Sequence, residues 1–204
     1  MKRSDLTELH YICPIGNLPS IVARGLLSHK RAARIEHHSV AMQEIQERRK
    51  DILVPGARPL HEYVNLYING RNKMMYKVVR GHGAATVCVL RVDTAVLDLP
   101  GAIVVDQNAS SGHARFAPAP KGLALINEEL VFAEYWNHPD DPVESMRHGS
   151  IVCAEILVPD RLDPRYISGV HVKDQEVAAT IRSAAPDVRV TINPYLFFGL
   201  GATA

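Results

Sequence analysis

Long apolar runs are missing from this 204-residue chain. No stretch approaches the roughly 20 residues that carry a helix across a bilayer, and Met1-Lys2-Arg3-Ser4-Asp5 leads into no hydrophobic signal segment. Neither membrane association nor export is expected, so the expected location is cytoplasmic. Cysteine is scarce as well. Cys13, Cys88 and Cys153 are odd in number, far apart in sequence and each set in an apolar stretch. That spacing gives neither a disulfide framework nor a zinc site, and reads as three reduced, buried thiols.

Several catalytic signatures are also lacking. Gly81-His82-Gly83 has no third glycine and no helix start after it, so it is not a dinucleotide fingerprint, and no phosphate-loop motif occurs. His61-Glu62 has no second histidine at metalloprotease spacing. His37 and His38 are adjacent and would diverge on a helix or a strand, so no metal is expected. There is no Gly-x-Ser-x-Gly elbow.

What is present suits one globular domain spanning 1–204: 47% hydrophobic residues and a net charge of only +1. The balance hides an asymmetry. Residues 1–82 hold 14 Lys/Arg against 7 Asp/Glu, and residues 83–204 hold 9 against 15. The first stretch could offer a positive face to a polyanion.

The pattern predicts a strand over Leu9–Cys13 and a helix from Asn17 that ends at Gly25. A basic, His-rich loop follows over Ser28–His38, then a helix over Ser39–Arg49 capped by Ser39. A strand is expected over Tyr63–Ile68 and a helix over Asn72–Val79. Later strands are expected at Ala85–Val92, Ala102–Val105, Ser150–Val158, Ile167–Val172 and Val188–Ile192, with helices at Asn127–Trp136 and Asp174–Ala185. Asp106–Lys121 reads as a long loop, a length that in compact domains tends to carry function. The expected class is α+β.

Three blocks carry a resemblance. The first is Leu9-His10-Tyr11-Ile12 with Asn17-Leu18-Pro19-Ser20-Ile21-Val22-Ala23-Arg24-Gly25-Leu26. The second is Asn65-Leu66-Tyr67-Ile68-Asn69 with Arg71-Asn72-Lys73-Met74-Met75-Tyr76. The third is Cys153-Ala154-Glu155-Ile156-Leu157-Val158-Pro159. They resemble the NAD-binding blocks of ADP-ribosyltransferases. Together with Ile45-Gln46-Glu47-Arg48-Arg49 and Pro59-Leu60-His61-Glu62-Tyr63, they resemble the DarT family of DNA ADP-ribosyltransferases over about Leu9–Val172. Ala57 and Lys73 depart from the family pattern, where Gly and Pro are common.

The resemblance implies an ADP-ribosyltransferase fold of mostly antiparallel β-sheets with flanking helices. It implies NAD⁺ as co-substrate, single-stranded DNA as acceptor, and a toxin whose antitoxin is an ADP-ribosyl hydrolase of macrodomain or NADAR type. Glu155 would stabilise the oxocarbenium-like sugar, a charge that one carboxylate can meet. Arg48 would orient the target base, with Arg49 as the alternative if the match is one residue out. His10, Tyr11, Ile12, Asn17, Gly25, Leu26, Tyr67, Met75, Tyr76 and Arg49 would form the NAD site, Tyr76 stacking on nicotinamide. Lys30, Arg31, Arg34, Arg71, Lys73, Asn108, His113 and Arg115 would hold DNA, unstacked because a duplex base cannot reach a cleft. The base is thymine or guanine, with Val64-Asn65-Leu66-Tyr67 slightly closer to the guanine branch. The competing readings are transfer to RNA or protein, or an inactive binding module.

Overall fold

Strand β1 (Leu9–Pro14) forms where expected, in a computed structural model that describes residues 1–56 and 58–199. Ala57, one of the two departures from the family pattern, lies outside the described residues. The other long strands are β5 (Tyr63–Tyr67), β6 (Val87–Val92), β9 (Glu155–Pro159) and β11 (Ile167–Val172). With β7 (Ile103–Val105), β8 (Phe116–Pro118) and β12 (Val190–Ile192) they make one sheet of order β12-β11-β6-β1-β5-β9-β7-β8. Only β11 and β12 run parallel. Two short ladders stand apart: β2 (Leu26–Leu27) with β10 (Arg161–Leu162), and β3 (Leu53–Val54) with β4 (Arg58–Pro59).

Side-chain alternation gives two larger cores, one on each side of β6, and a smaller third cluster gathers Val54, Leu60, Ile103, Val105 and Leu157. Cys88, Leu90 and Val92 of β6 face one, with Leu9, Leu66 and Ile156. Val87 and Val89 face the other, with Ile12, Tyr67, Met75 and Val78. Cys13 and Cys88 are register partners across β1 and β6, so two cysteines far apart in sequence meet in the fold. All three are buried free thiols.

Helices α1 (Leu18–Arg24), α2 (His29–Ala32), α3 (Gln43–Lys50) and α4 (Lys73–His82) fall in the first half. Gly25 ends α1 at φ +81°, and a side chain there would run into the Leu162 carbonyl. Asn72 caps α4 by accepting the Met75 amide at 2.9 Å, and its Met75, Val78 and Val79 face is buried. The second half holds α5 (Glu128–Val131), α6 (Pro142–Ile151) and α7 (Gln175–Ala184).

Three expectations are corrected. Helix α3 begins at Gln43, and the Ser39 hydroxyl accepts the Ala41 amide in a local turn instead of capping it. The helix expected to reach Trp136 is the single turn α5: Asn127 caps its start by accepting the Leu130 amide, and beyond it the Val131 and Glu134 carbonyls accept from the Asn69 and Arg71 side chains instead of from helical amides. The strand expected from Ser150 begins at Glu155, because Ser150 lies in the last turn of α6. Asp141 capping with Pro142 at the first helical position was the sequence signal for α6.

Candidate active site

Strands β1 and β5 touch at one register pair, His10 with Tyr67. Beyond it β1 follows β6 and β5 follows β9, so the two edges part and a cleft opens between them. Tyr11, Ile12 and Pro14 line one side, and Tyr63, Val64, Asn65 and Tyr67 the other. The cleft, with the solvent at its open mouth included, encloses about 1070 Å³.

Register continues the row to Glu155, which faces Tyr67, and to Val105. Partners directly opposite in a sheet point to one face, so His10, Tyr67 and Glu155 share a side. Glu155 is fully buried. Both its carboxylate oxygens accept from Arg49, Nη1 and Nη2 each at 3.0 Å, and the Ala109 amide lies 3.4 Å from Oε1. Burial pulls the Arg49 pKa down, but the Glu155 carboxylate overcomes that and leaves it above its usual value. Tyr67, beside this pair, has its phenol pushed up by burial and then by the Glu155 charge. A dry, doubly bonded carboxylate therefore sits on β9 just behind the cleft, and Arg49, which lines the cleft, stands in front of it.

A flap crosses the cleft. Its residues His37 to Met42 line the opening. Asn17 anchors it through two bonds: Nδ2 donates to the His38 carbonyl at 2.7 Å, and Oδ1 accepts the His38 amide at 2.9 Å. Two imidazoles not singled out from sequence, His29 and His61, also line the cleft with ring centroids 4.2 Å apart. Burial, then the neighbouring imidazoles and the Arg49 charge, hold both below the usual histidine value. His61 lay inside the quoted Pro59–Tyr63 block and His29 in the His-rich loop, so the segments were legible and the residues were not.

Of the expected NAD residues, Tyr11, Ile12, Asn17, Tyr67 and Arg49 line the cleft. His10 shares the row, but its ring is covered by Gly70 and lies 3.3 Å from Glu8, which His171 and Arg91 also bind. Gly25 and Leu26 instead turn the chain against β10. Met75 is core, and Met74 takes the cleft position. Tyr76 is placed on the outer side of α4, edge-on to Phe198, away from the expected stacking position. Arg48 is 58% exposed and pairs with Glu44, so the arginine that reaches the carboxylate is Arg49.

The expected DNA residues scatter. Asn108 lines the cleft. Lys30 pairs with Glu62, Arg31 with Asp160 and Arg115 with Asp106. Arg34 and His113 are exposed, Arg71 lies over the Tyr195 and Phe198 rings, and Lys73, half-buried at the start of α4, lies against Gly149 of α6. Two groups hold three metal-type ligands within 4.8 Å of one another: Glu8, His10 and His171, and His138, Glu144 and His148. In the second, His138 and His148 are hydrogen-bonded to each other at 3.0 Å. Among the described residues no helix is long and apolar enough to cross a membrane.

The family model for DarT, ssDNA thymidine ADP-ribosyltransferase, matches residues 10–198. The chain is 32% identical over 200 residues to the DNA ADP-ribosyl transferase–DNA ADP-ribosyl glycohydrolase fusion protein of Thermosipho africanus (strain H17ap60334). That match covers 94% of this chain and 49% of the relative, so the chain spans about half the fusion's length. The DNA ADP-ribosyl transferase of Thermus sp. (strain 2.9) is 28% identical over 193 residues, covering 89% of each. Among solved structures, Thermosipho africanus DarTG in complex with ADP-ribose has a TM-score of 0.82 at 30% identity, covering 94% of this chain and 51% of that one. Thermus sp. 2.9 DarT in complex with ADP-ribosylated ssDNA has a TM-score of 0.80 at 26% identity, covering 96% and 98%.

Proposed function

This chain belongs to the DarT family, and from that premise we propose that it transfers ADP-ribose from NAD⁺ to a nucleobase in single-stranded DNA, as one transferase domain. The observation that supports the reading is the Arg49–Glu155 pair: Arg49 and Tyr67 line the cleft between β1 and β5, and Glu155 lies behind them in register with Tyr67. The reaction breaks the nicotinamide–ribose bond, releases nicotinamide, joins C1 of that ribose to a base nitrogen and frees one proton.

Each part falls to a named group. The open edge of β1 at Tyr11 and Ile12 offers backbone hydrogen bonds to the nicotinamide amide. Tyr67 borders the ring. Glu155 holds a ribose hydroxyl and meets the positive charge that grows on the sugar, in a dry site where such contacts are strong. Arg49 holds that carboxylate with its planar fork and, as the member of the pair that lines the cleft, meets the base with its remaining N–H groups, the role expected of Arg48. Glu155 then accepts the base proton. No metal is needed in this scheme.

Acceptor and biology belong to the same proposal. The description of the matched family names thymidine, so thymine is the first base to test, ahead of the guanine suggested by Val64-Asn65-Leu66-Tyr67. A relative that fuses the transferase to a DNA ADP-ribosyl glycohydrolase supports an antitoxin partner of that activity and, with it, a toxin role. The deciding experiment incubates the protein and labelled NAD⁺ with single-stranded oligonucleotides carrying thymine or guanine as the one modifiable base, with RNA, and with protein. Label on DNA with one base supports the reading. Label only on RNA or protein would move the acceptor, and nicotinamide release with no labelled polymer would remove the transfer step.

A further inference from the structure

We propose that the surface centred on Arg71 and Phe198, on the far side of α4 from the cleft, is a docking track for the single-stranded DNA that flanks the modified base. The inference rests on the reading of single-stranded DNA as acceptor. Bases would stack on Tyr195 and Tyr76 while backbone phosphates meet Lys77 and Arg80.

The aromatic observations come first. The Arg71 guanidinium lies over the Phe198 ring at 4.4 Å and over the Tyr195 ring at 4.7 Å. Tyr76 and Trp136 both meet Phe198 edge-on, at 5.2 and 5.9 Å. Phe198 itself holds φ +61°, a conformation rare for a bulky residue. Around this centre the large aromatics are left in water. Tyr76, Phe132, Tyr135 and Tyr195 are the exposed aromatic residues of the described chain, Tyr135 at 76% and Tyr195 at 55%. Phe132 and Tyr135 join the surface because Asn69 binds the Val131 carbonyl and Arg71 the Glu134 carbonyl, each at 2.8 Å. Single exposed rings need no explanation, but a group collected on one surface does.

The charges select the partner. Lys73, Lys77 and Arg80 recur at helical spacing along α4. Among the described residues, none of these or Arg71 forms an ion pair, whereas Lys30, Arg31, Arg58 and Arg115 each do. Arg71 Nε is buried without a partner, and only Nη1 of its guanidinium has an acceptor. Glu134 contributes its carbonyl there, and its carboxylate is in no ion pair. Lysine is depleted at protein–protein interfaces, while cations interleaved with open rings are the common form of a sequence-tolerant single-strand surface. The helix that carries these cations also bounds the cleft, since Met74 and Val78 on its inner side line it.

The test measures binding separately from transfer. Affinity and KM are determined for an oligonucleotide limited to the target base and its neighbours, and for one extended on either side. Wild-type protein should bind the extended strand more tightly. Tyr195→Ala should lose that gain, on the order of tenfold for one stacked base, and Tyr195→Phe should keep it. Lys77→Ala with Arg80→Ala should lower the salt slope of binding by roughly 1 to 1.5. An unchanged gain in Tyr195→Ala, with DNA still modified, would overturn the track and keep the functional reading. Length-dependent binding that Tyr195→Ala abolishes, without transfer to any DNA, would do the reverse. Self-association of the free protein that Tyr195→Ala removes, with no effect on DNA, would assign the surface to a second copy instead.

Discussion

Strand β9 carries an arginine–carboxylate group at each end, and the two differ in little but water. At its start Glu155 is bound by Arg49, with side chains 0% and 7% exposed. Just past its end Asp160 is bound by Arg58 and Arg31, in a chain that continues through Glu62 to Lys30. That second group lies open to solvent, where pairing is screened and worth little. The first has lost its hydration, which pairing alone seldom repays. Pairing is therefore common to both ends, and a dry carboxylate marks only one as a place for chemistry.

The largest expected effect tests this contrast directly. Arg49→Ala leaves Glu155 buried and unpaired, and should cost about 3–5 kcal/mol in chemical denaturation. A cost no greater than that of Arg58→Ala would erase the distinction. Next is Glu155→Gln, which keeps the shape of the pair. It should cut transfer on the order of a hundredfold or more while the protein stays folded, and undiminished DNA modification would remove Glu155 from the mechanism. Third, Arg49→Lys keeps the charge but loses the planar fork. Turnover at saturating DNA should fall roughly tenfold or more, whereas Arg48→Lys should match wild type. Equal losses would return Arg48 to the site.

The fourth expectation concerns pH. His29 and His61 both titrate below the reference 6.5 in the folded protein. The unfolded chain therefore takes up protons first. Stability is complete above about 6.5 and declines as pH falls through the window beneath it. Thermal unfolding from about pH 7.5 to 5 should show this decline, and replacing both imidazoles with Phe should flatten it. An unaltered profile would mean that neither ring is desolvated. Smallest of all, Asp160→Asn should change stability by less than about 1 kcal/mol, and less still at high salt.

Most of the longer strands were legible because their composition is local: β11 begins and ends where its apolar pattern does, whereas β8, inside the loop expected over Asp106–Lys121, is too short to show one. The row joining His10, Tyr67 and Glu155 was not legible, because register depends on pairing between segments distant in sequence. The choice between Arg48 and Arg49 could have been made. Ile45 is the apolar residue of α3, and Arg49, four residues on, shares its side of the helix. Tyr76 follows the same rule, since Met74 and Val78 take the cleft side of α4 and leave it facing out. Charge asymmetry misled in another way. It counted Lys30 and Arg31 as free, when carboxylates from β10's side of the fold and from the Leu60–Glu62 turn neutralise them.

The lone register pair between β1 and β5 also has a mechanical meaning. Two stiff plates riveted at one point can pivot without tearing the ladders that hold each plate together. A small rotation at His10 and Tyr67 would be magnified at the mouth, in proportion to the distance from the rivet. Entry of a dinucleotide and exit of nicotinamide could then share one low-cost motion, leaving the dry carboxylate at the pivot, where displacement is least.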